Sequence, residues 1–169
     1  MLALYSVELY GLMDNCMDLI LWRHADAENV PASSPDSERK LTAQGIKQAA
    51  RMAKWLRPRL PEGAIVLASP AQRAQQTAQA LTPDFRTVKE VGTSAAPEEV
   101  LLACGWPGDG RAVVVVGHQP TLGEVAALLM TGTKGQWSLE KGAIIWLAAR
   151  ERGAIPRVHL RAAIAPDFL

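Results

Sequence analysis

The chain has 169 residues, 49% of them apolar and 21% charged, and a formal net charge of +1. Those totals fit one soluble globular domain with a proper core. They exclude a nucleic-acid binder that works through a broad basic surface, but leave room for a local anion site. No apolar run is long enough to span a bilayer. The two cysteines, Cys16 and Cys104, are far apart and in no metal spacing. They make no disulfide framework, so a reducing cytoplasm is expected.

Residues 1–16 start apolar but lack a positive leader region and carry Glu8 and Asp14, which makes a poor signal peptide. The domain is expected to begin at Met17, with 1–16 a dispensable extension; a short helix packed on the domain is the alternative. Leu19 to Trp22 then reads as a strand buried on both faces, breaking abruptly into Arg23, His24, Ala25 and Asp26. A polar loop from Asn29 to Lys40 follows. Thr42 is the expected N-cap of a helix with Ile46, Ala49, Ala50, Ala53 and Leu56 at helical spacing and Pro58 at its end.

Ala64–Ala68 reads as a second buried strand. Ser69-Pro70-Ala71-Gln72 has the pattern of a capping box with proline at the first helical position, opening a helix to about Leu81. Phe85–Val88 is a short third strand, followed by a loop with Glu90 and a short helix over Pro97–Leu102. Val113–Val116 is the clearest buried strand; it ends in Gly117-His118-Gln119-Pro120, and Pro120 opens a helix through Met130. Ala143–Ala148 and Arg157–Ile164, with a turn at Gly153, are expected to form an antiparallel pair at one sheet edge. This order implies a three-layer α/β/α sandwich on a mostly parallel sheet.

Three buried strands thus end in polar residues: Arg23-His24, Ser69 with Arg73 one turn on, and Gly117-His118. Ligands of open α/β sheets bind beyond the carboxyl ends of the strands. Two arginines and two histidines gathered there suit a phosphate, because guanidinium grips phosphoryl oxygens in a bidentate fork. Arg73 in the first turn of a helix opposes the macrodipole, a cost that a bound anion reverses. The bland readings are a solvated arginine and two structural histidines; the shared placement at strand ends speaks against them.

At this point the chain resembles a known family. Arg23-His24-Ala25 is similar to the Arg-His-Gly signature of the histidine phosphatase superfamily, whose fold is called phosphoglycerate-mutase-like. Leu41-Thr42-Ala43-Gln44-Gly45 is similar to its Leu-Thr-x-x-Gly. Residues 69–78 are similar to its Ser-Pro-x-x-Arg-Ala-x-Gln-Thr-Ala, and Val116-Gly117-His118 to its strand-Gly-His element. The resemblance covers residues 17 to at least 131. The short length and lack of large insertions look most like the bacterial SixA-type phosphohistidine phosphatases.

The resemblance implies a phosphatase in which His24 is the nucleophile and becomes a phosphohistidine. Arg23, Arg73 and His118 then clamp the phosphoryl oxygens in the transition state. No cofactor and no metal are expected, since arginines supply the positive charge. Ala25 replaces the family glycine and would be strained if that position needs φ > 0. The family's acid is a glutamate after the third strand, which makes Glu90 the candidate and Asp26 its rival; Arg39 is a further candidate for the phosphoryl group. His159 is expected to be exposed, and the five tryptophans to pack in the core or at its rim.

The expected substrate is a phosphorylated protein, including a phosphohistidine on a phosphotransfer protein in a signalling relay, with a small phosphoester as the alternative. A mutase needs lid segments that this chain is too short to carry. A phosphopeptide-binding pseudo-enzyme is disfavoured by the intact quartet, and a metallohydrolase using His24, His118 and Asp26 by the lack of a further acidic cluster. A monomer that engages neither nucleic acid nor membrane is expected.

Overall fold

A computed structural model describes residues 16–29, 31, 33–108, 110–150 and 157–169. Residues 1–15, and the turn expected at Gly153, lie outside them. Six strands form one sheet in the order β3-β2-β4-β1-β5-β6. They are β1 (Cys16–Arg23), β2 (Ile65–Ala68), β3 (Arg86–Thr87), β4 (Val113–Gly117), β5 (Ile144–Arg150) and β6 (Arg157–Ile164). The first four run parallel, whereas β5 pairs antiparallel with β1, and β6 antiparallel with β5. The expected parallel sheet with an antiparallel edge is therefore present.

Alternation along the strands builds two cores. On one face Leu19, Leu21, Val113, Val115, Ile145 and Leu147 pack under α3 (Pro97–Ala103) and α4 (Thr121–Thr131). On the other, Ile20, Trp22, Val114, Val116, Ile144 and Trp146 pack under α1 (Ala43–Leu56) and α2 (Gln72–Leu81). Strand β4 is buried along its whole length. Each buried valine contributes about 1.5–3 kcal/mol, which explains why the all-valine strand takes the middle of the parallel segment.

Four local differences from the sequence expectations have physical causes. Strand β1 starts at Cys16, before Leu19, and continues through Met17 and Asp18. The acid is tolerated inside the sheet because Asp18 Oδ1 accepts from Trp146 Nε1 at 2.8 Å and from Arg161 Nη1 at 2.8 Å. Helix α2 starts at Gln72, not Pro70, because Ser69 Oγ accepts from Ala71 N at 3.2 Å and Ala71 stays extended. The hydroxyl closes a local turn rather than capping the helix.

Ile46 is 59% exposed despite its helical spacing. The buried stripe of α1 runs instead through Gly45, Ala49, Met52, Ala53 and Leu56. Gly45 sets it: a Cβ there would lie 1.9 Å from Asp26 O, so only glycine lets the helix press on the loop after β1. Finally, β3 is just Arg86–Thr87. His159 is exposed, as expected.

Candidate active site

The carboxyl ends of β1, β4 and β2 are neighbours in the sheet, so the polar residues that end them meet. The backbone at His24 is held from both sides: His24 N donates to Gly117 O at 3.0 Å, and Gly142 N donates to His24 O at 3.1 Å. Gly142 lies at φ +80, in a turn whose carbonyl also accepts Trp22 Nε1 at 3.0 Å. Ala25 N donates to Thr77 Oγ1 at 3.1 Å, and Thr77 Oγ1 donates to Arg73 O at 2.7 Å. One buried hydroxyl therefore ties the loop bearing His24 to the helix bearing Arg73. No non-glycine residue among those described has a positive φ, so Ala25 carries no strain where the family has glycine.

The state of His24 follows from its partners. Its Nδ1 lies 2.8 Å from Ala25 O, and a carbonyl can only accept, so Nδ1 carries the hydrogen. In the neutral ring Nε2 then holds the lone pair, and Arg73 Nε donates to it at 3.3 Å. Burial is the main force pushing His24 down to about 4; Arg73, Arg23 and Arg39 push the same way, while the bond to Ala25 opposes them. Burial, followed by His24 and Arg73, pushes His118 down to about 3. Both rings are thus neutral at pH 7, with centroids 5.1 Å apart.

His118 Nε2 lies 2.7 Å from Ser69 Oγ, and Ser69 is 1% exposed. Arg23 Nη1 donates to Leu139 O at 2.5 Å. Arg23 Nε is buried without a partner, the one such side-chain atom among the described residues. An unpaired buried N–H costs about 1–3 kcal/mol, and an anion in the pocket would satisfy it. The quartet expected from the sequence is therefore gathered: Arg73 Nε reaches His24 Nε2, the two histidine rings are adjacent, and Arg23 precedes His24 in the strand.

The acids are arranged differently from the expectation. Glu90 makes no hydrogen bond to the quartet; its Oε1 lies 3.9 Å from Lys89 Nζ. It lines a separate open cavity of about 500 Å³ with Lys89, Thr93, Ser94 and Glu99. Asp26 accepts from Lys141 Nζ at 2.6 Å and from Thr42 Oγ1 at 2.7 Å. The lysine, then the threonine, holds its carboxyl below the usual range. The acid that sequence reasoning missed is Asp36, bonded to Arg73 at 2.8 Å and to Arg39 at 3.1 Å. Arg39 approaches the site through that carboxylate. Among the described residues no three His, Cys, Asp or Glu side chains group as a metal site.

The remaining motif residues frame the pocket. Gln76 Oε1 accepts from Leu41 N at 2.7 Å, and Thr42 N donates to Asp26 O at 3.1 Å, which fastens the loop after β1 across α2. Ser69, Gln76 and Thr77 stand inside the matched Ser-Pro motif, so their support of the site could have been looked for there. Asp36 has only its spacing three residues before Arg39 to mark it.

A neutral imidazole lone pair beside buried guanidinium donors is the equipment of a phosphatase that attacks through histidine. The chain belongs to the histidine phosphatase superfamily, whose branch 1 model matches residues 19–99. Among individual proteins it is similar to the phosphohistidine phosphatase SixA of Escherichia coli, 31% identical over 128 residues, covering 69% of this chain and 76% of that one. An uncharacterised protein of Mycobacterium tuberculosis is 36% identical over 109 residues, covering 63% of this chain and 68% of that protein. A solved structure of the protein histidine phosphatase SixA complexed with tungstate superposes with a TM-score of 0.74 at 27% identity, covering 90% of this chain and 99% of that one. No helix among the described residues is long and apolar enough to cross a membrane.

Proposed function

We propose that this phosphatase hydrolyses phosphohistidine on a protein substrate, with His24 as its nucleophile. In the first step the His24 Nε2 lone pair attacks phosphorus. The bond from phosphorus to the substrate nitrogen breaks, and the departing imidazole keeps its electron pair and takes a proton from solvent. Nδ1–H stays on Ala25 O throughout. Arg23, Arg73 and His118 stabilise the charge on the equatorial oxygens. Water then attacks phosphorus, the bond to Nε2 breaks, and inorganic phosphate leaves. Guanidinium groups supply the positive charge, so chelators should leave turnover unchanged.

The observation that carries this reading is the state of the carboxylates. Asp26 and Asp36 are both held below the usual carboxylate range by cationic partners, so neither has a proton to give at neutral pH. Glu90 is paired with Lys89 and makes no hydrogen bond to the quartet. A poor alkoxide leaving group needs a general acid, typically worth about 10²–10⁴-fold. Imidazole protonates near pH ~6.5 in solution and departs without one. The pocket is therefore equipped for phosphoramidates and underequipped for alkyl phosphates. The likeness to SixA, a phosphohistidine phosphatase, supports the same substrate class.

The test is a substrate panel of phosphohistidine protein, phosphoramidate, phosphoserine peptide and sugar phosphate. Phosphohistidine and phosphoramidate should give the highest kcat/KM. Glu90→Gln should leave both substrate classes nearly unchanged, because Glu90 makes no hydrogen bond to the quartet, and His24→Ala should abolish both. A sugar phosphate turned over fastest would establish the small-molecule phosphomonoesterase instead.

A further inference from the structure

Asp36 belongs to none of the four motifs, yet its polar groups hold two arginines. It sits on the 3-10 turn Asp36–Glu38 in the loop after β1. Its Oδ2 accepts Arg73 Nη2 at 2.8 Å, and its main-chain O accepts Arg73 Nη1 at 2.6 Å. Its Oδ1 accepts Arg39 Nη1 at 3.1 Å. Arg39 Nε donates in turn to Glu28 O at 2.6 Å, which fastens the two sides of the loop together.

The edge of Arg73 that Asp36 occupies decides what the contact does. A guanidinium has five N–H donors: one on Nε and two on each terminal nitrogen. The Nε–H of Arg73 points at His24 Nε2, the atom with the lone pair. Asp36 takes one N–H from each terminal nitrogen, which places it on the end of the fork. The side made by Nε and its neighbouring terminal N–H faces the nucleophile. That side can grip a phosphoryl group in a bidentate fork. Asp36 therefore braces the guanidinium from behind and leaves its phosphoryl edge open.

We infer that Asp36 is a positioning residue, a bridging carboxylate that joins Arg73 and Arg39 into one clamp and keeps the Nε edge of Arg73 on the phosphoryl group. It serves a purpose that the buried helix cannot. Arg73 is 4% exposed in the first turn of α2, where the helix dipole disfavours a cation, and Asp36 holds the charge in place before substrate arrives. The inference rests on the phosphoryl-transfer reading of the site.

The experiment uses the full chain with Asp36→Asn, Asp36→Ala and Asp36→Glu. Orthovanadate inhibition, kcat and KM are measured on a phosphoramidate, with the unfolding midpoint as a control. Asp36 is 59% exposed on its side chain, so the fold should survive each change. Asparagine and alanine should weaken vanadate binding about 10–100-fold and lower kcat more than they raise KM, with glutamate recovering part of the loss. Arg39→Ala should weaken vanadate binding in the native background but add little to Asp36→Ala, because the two act through one contact. Vanadate binding that is unchanged or tighter in Asp36→Asn would overturn the inference, making the carboxylate a bystander or a competitor for the anion. Full activity in His24→Ala would instead overturn the phosphoryl-transfer reading, so the two failures are distinguishable.

Discussion

Arg73 Nε donates to His24 Nε2 at 3.3 Å, so a fixed cation rests against the lone pair that we propose attacks phosphorus. Burial above all keeps the ring neutral, and the contact orients it. In the proposed reaction the contact is exchanged for a phosphoryl oxygen when substrate binds. Lysine cannot reproduce it, because an ammonium lacks both the Nε–H and the planar fork. Arg73→Lys should therefore lower kcat/KM by about 10²–10³-fold, the usual loss on removing one preorganised donor. Steady-state kinetics on a phosphoramidate test this; a loss of only a few-fold would show that charge alone suffices.

The histidines should set the acid limit of both activity and stability. In the unfolded chain each titrates near 6.5, whereas in the fold His24 is held at about 4 and His118 at about 3. Below pH 6.5 the unfolded state takes up protons that the folded state refuses. Stability is therefore fully present above pH 6.5 and falls as pH drops toward 4 and 3, by up to about 1.4 kcal/mol per pH unit for each ring. Urea unfolding at pH 7 and pH 4.5 should show the loss, and His118→Asn should reduce its slope. The acid limb of kcat/KM should lie near pH 4; a midpoint at 6.5 would mean that His24 is not buried as described.

Thr77 should matter more than a core threonine of its size. It is fully buried and satisfies Ala25 N while donating to Arg73 O. Thr77→Val keeps the shape but leaves the Ala25 N–H unpaired, at a cost of about 1–3 kcal/mol. It should also lower kcat, because it unties the loop bearing His24 from α2. Thermal unfolding and single-turnover rates measured together separate the two effects.

Gly45→Ala tests the framing of the loop. The added Cβ would sit 1.9 Å from Asp26 O, a backbone atom that cannot step aside cheaply. Destabilisation of about 1–3 kcal/mol is expected for such overpacking, read as a lowered urea midpoint. Near-native stability would mean that α1 slides away from the loop.

The sheet and the quartet were legible because local sequence dictates them. A run such as Val113–Val116 can only be a strand buried on both faces, and the chemistry then has to start where the run ends. What was not legible depends on contacts between distant residues. Asp36 meets Arg73 across 37 positions from a loop with no periodicity, so nothing near it in the sequence announces a role. Ser69 reads as a helix cap, and its bond to His118 appears only when β2 and β4 are laid side by side. Ile46 falls on the helical period but is exposed, because Gly45 and not the period decides how α1 turns toward the loop. Asp18 hid the start of β1, since an acid inside a strand is acceptable only with the tryptophan and arginine that meet it from β5 and β6.

The last strand has a consequence for crowded conditions. Among the described residues β6 is the last strand of the sheet, and an edge strand is a template on which strands of other molecules add. Strand β6 carries exposed Arg157 and Arg161, the latter at the bulge that interrupts the register with β5. Arg161 is already paired with Asp18 at 2.8 Å, so among the described residues Arg157 is the guanidinium of that strand without an ion pair. A charge on an edge strand discourages strand addition, so replacing Arg157 with threonine, a good strand former, should raise self-association into fibrous aggregates, read by light scattering at high concentration.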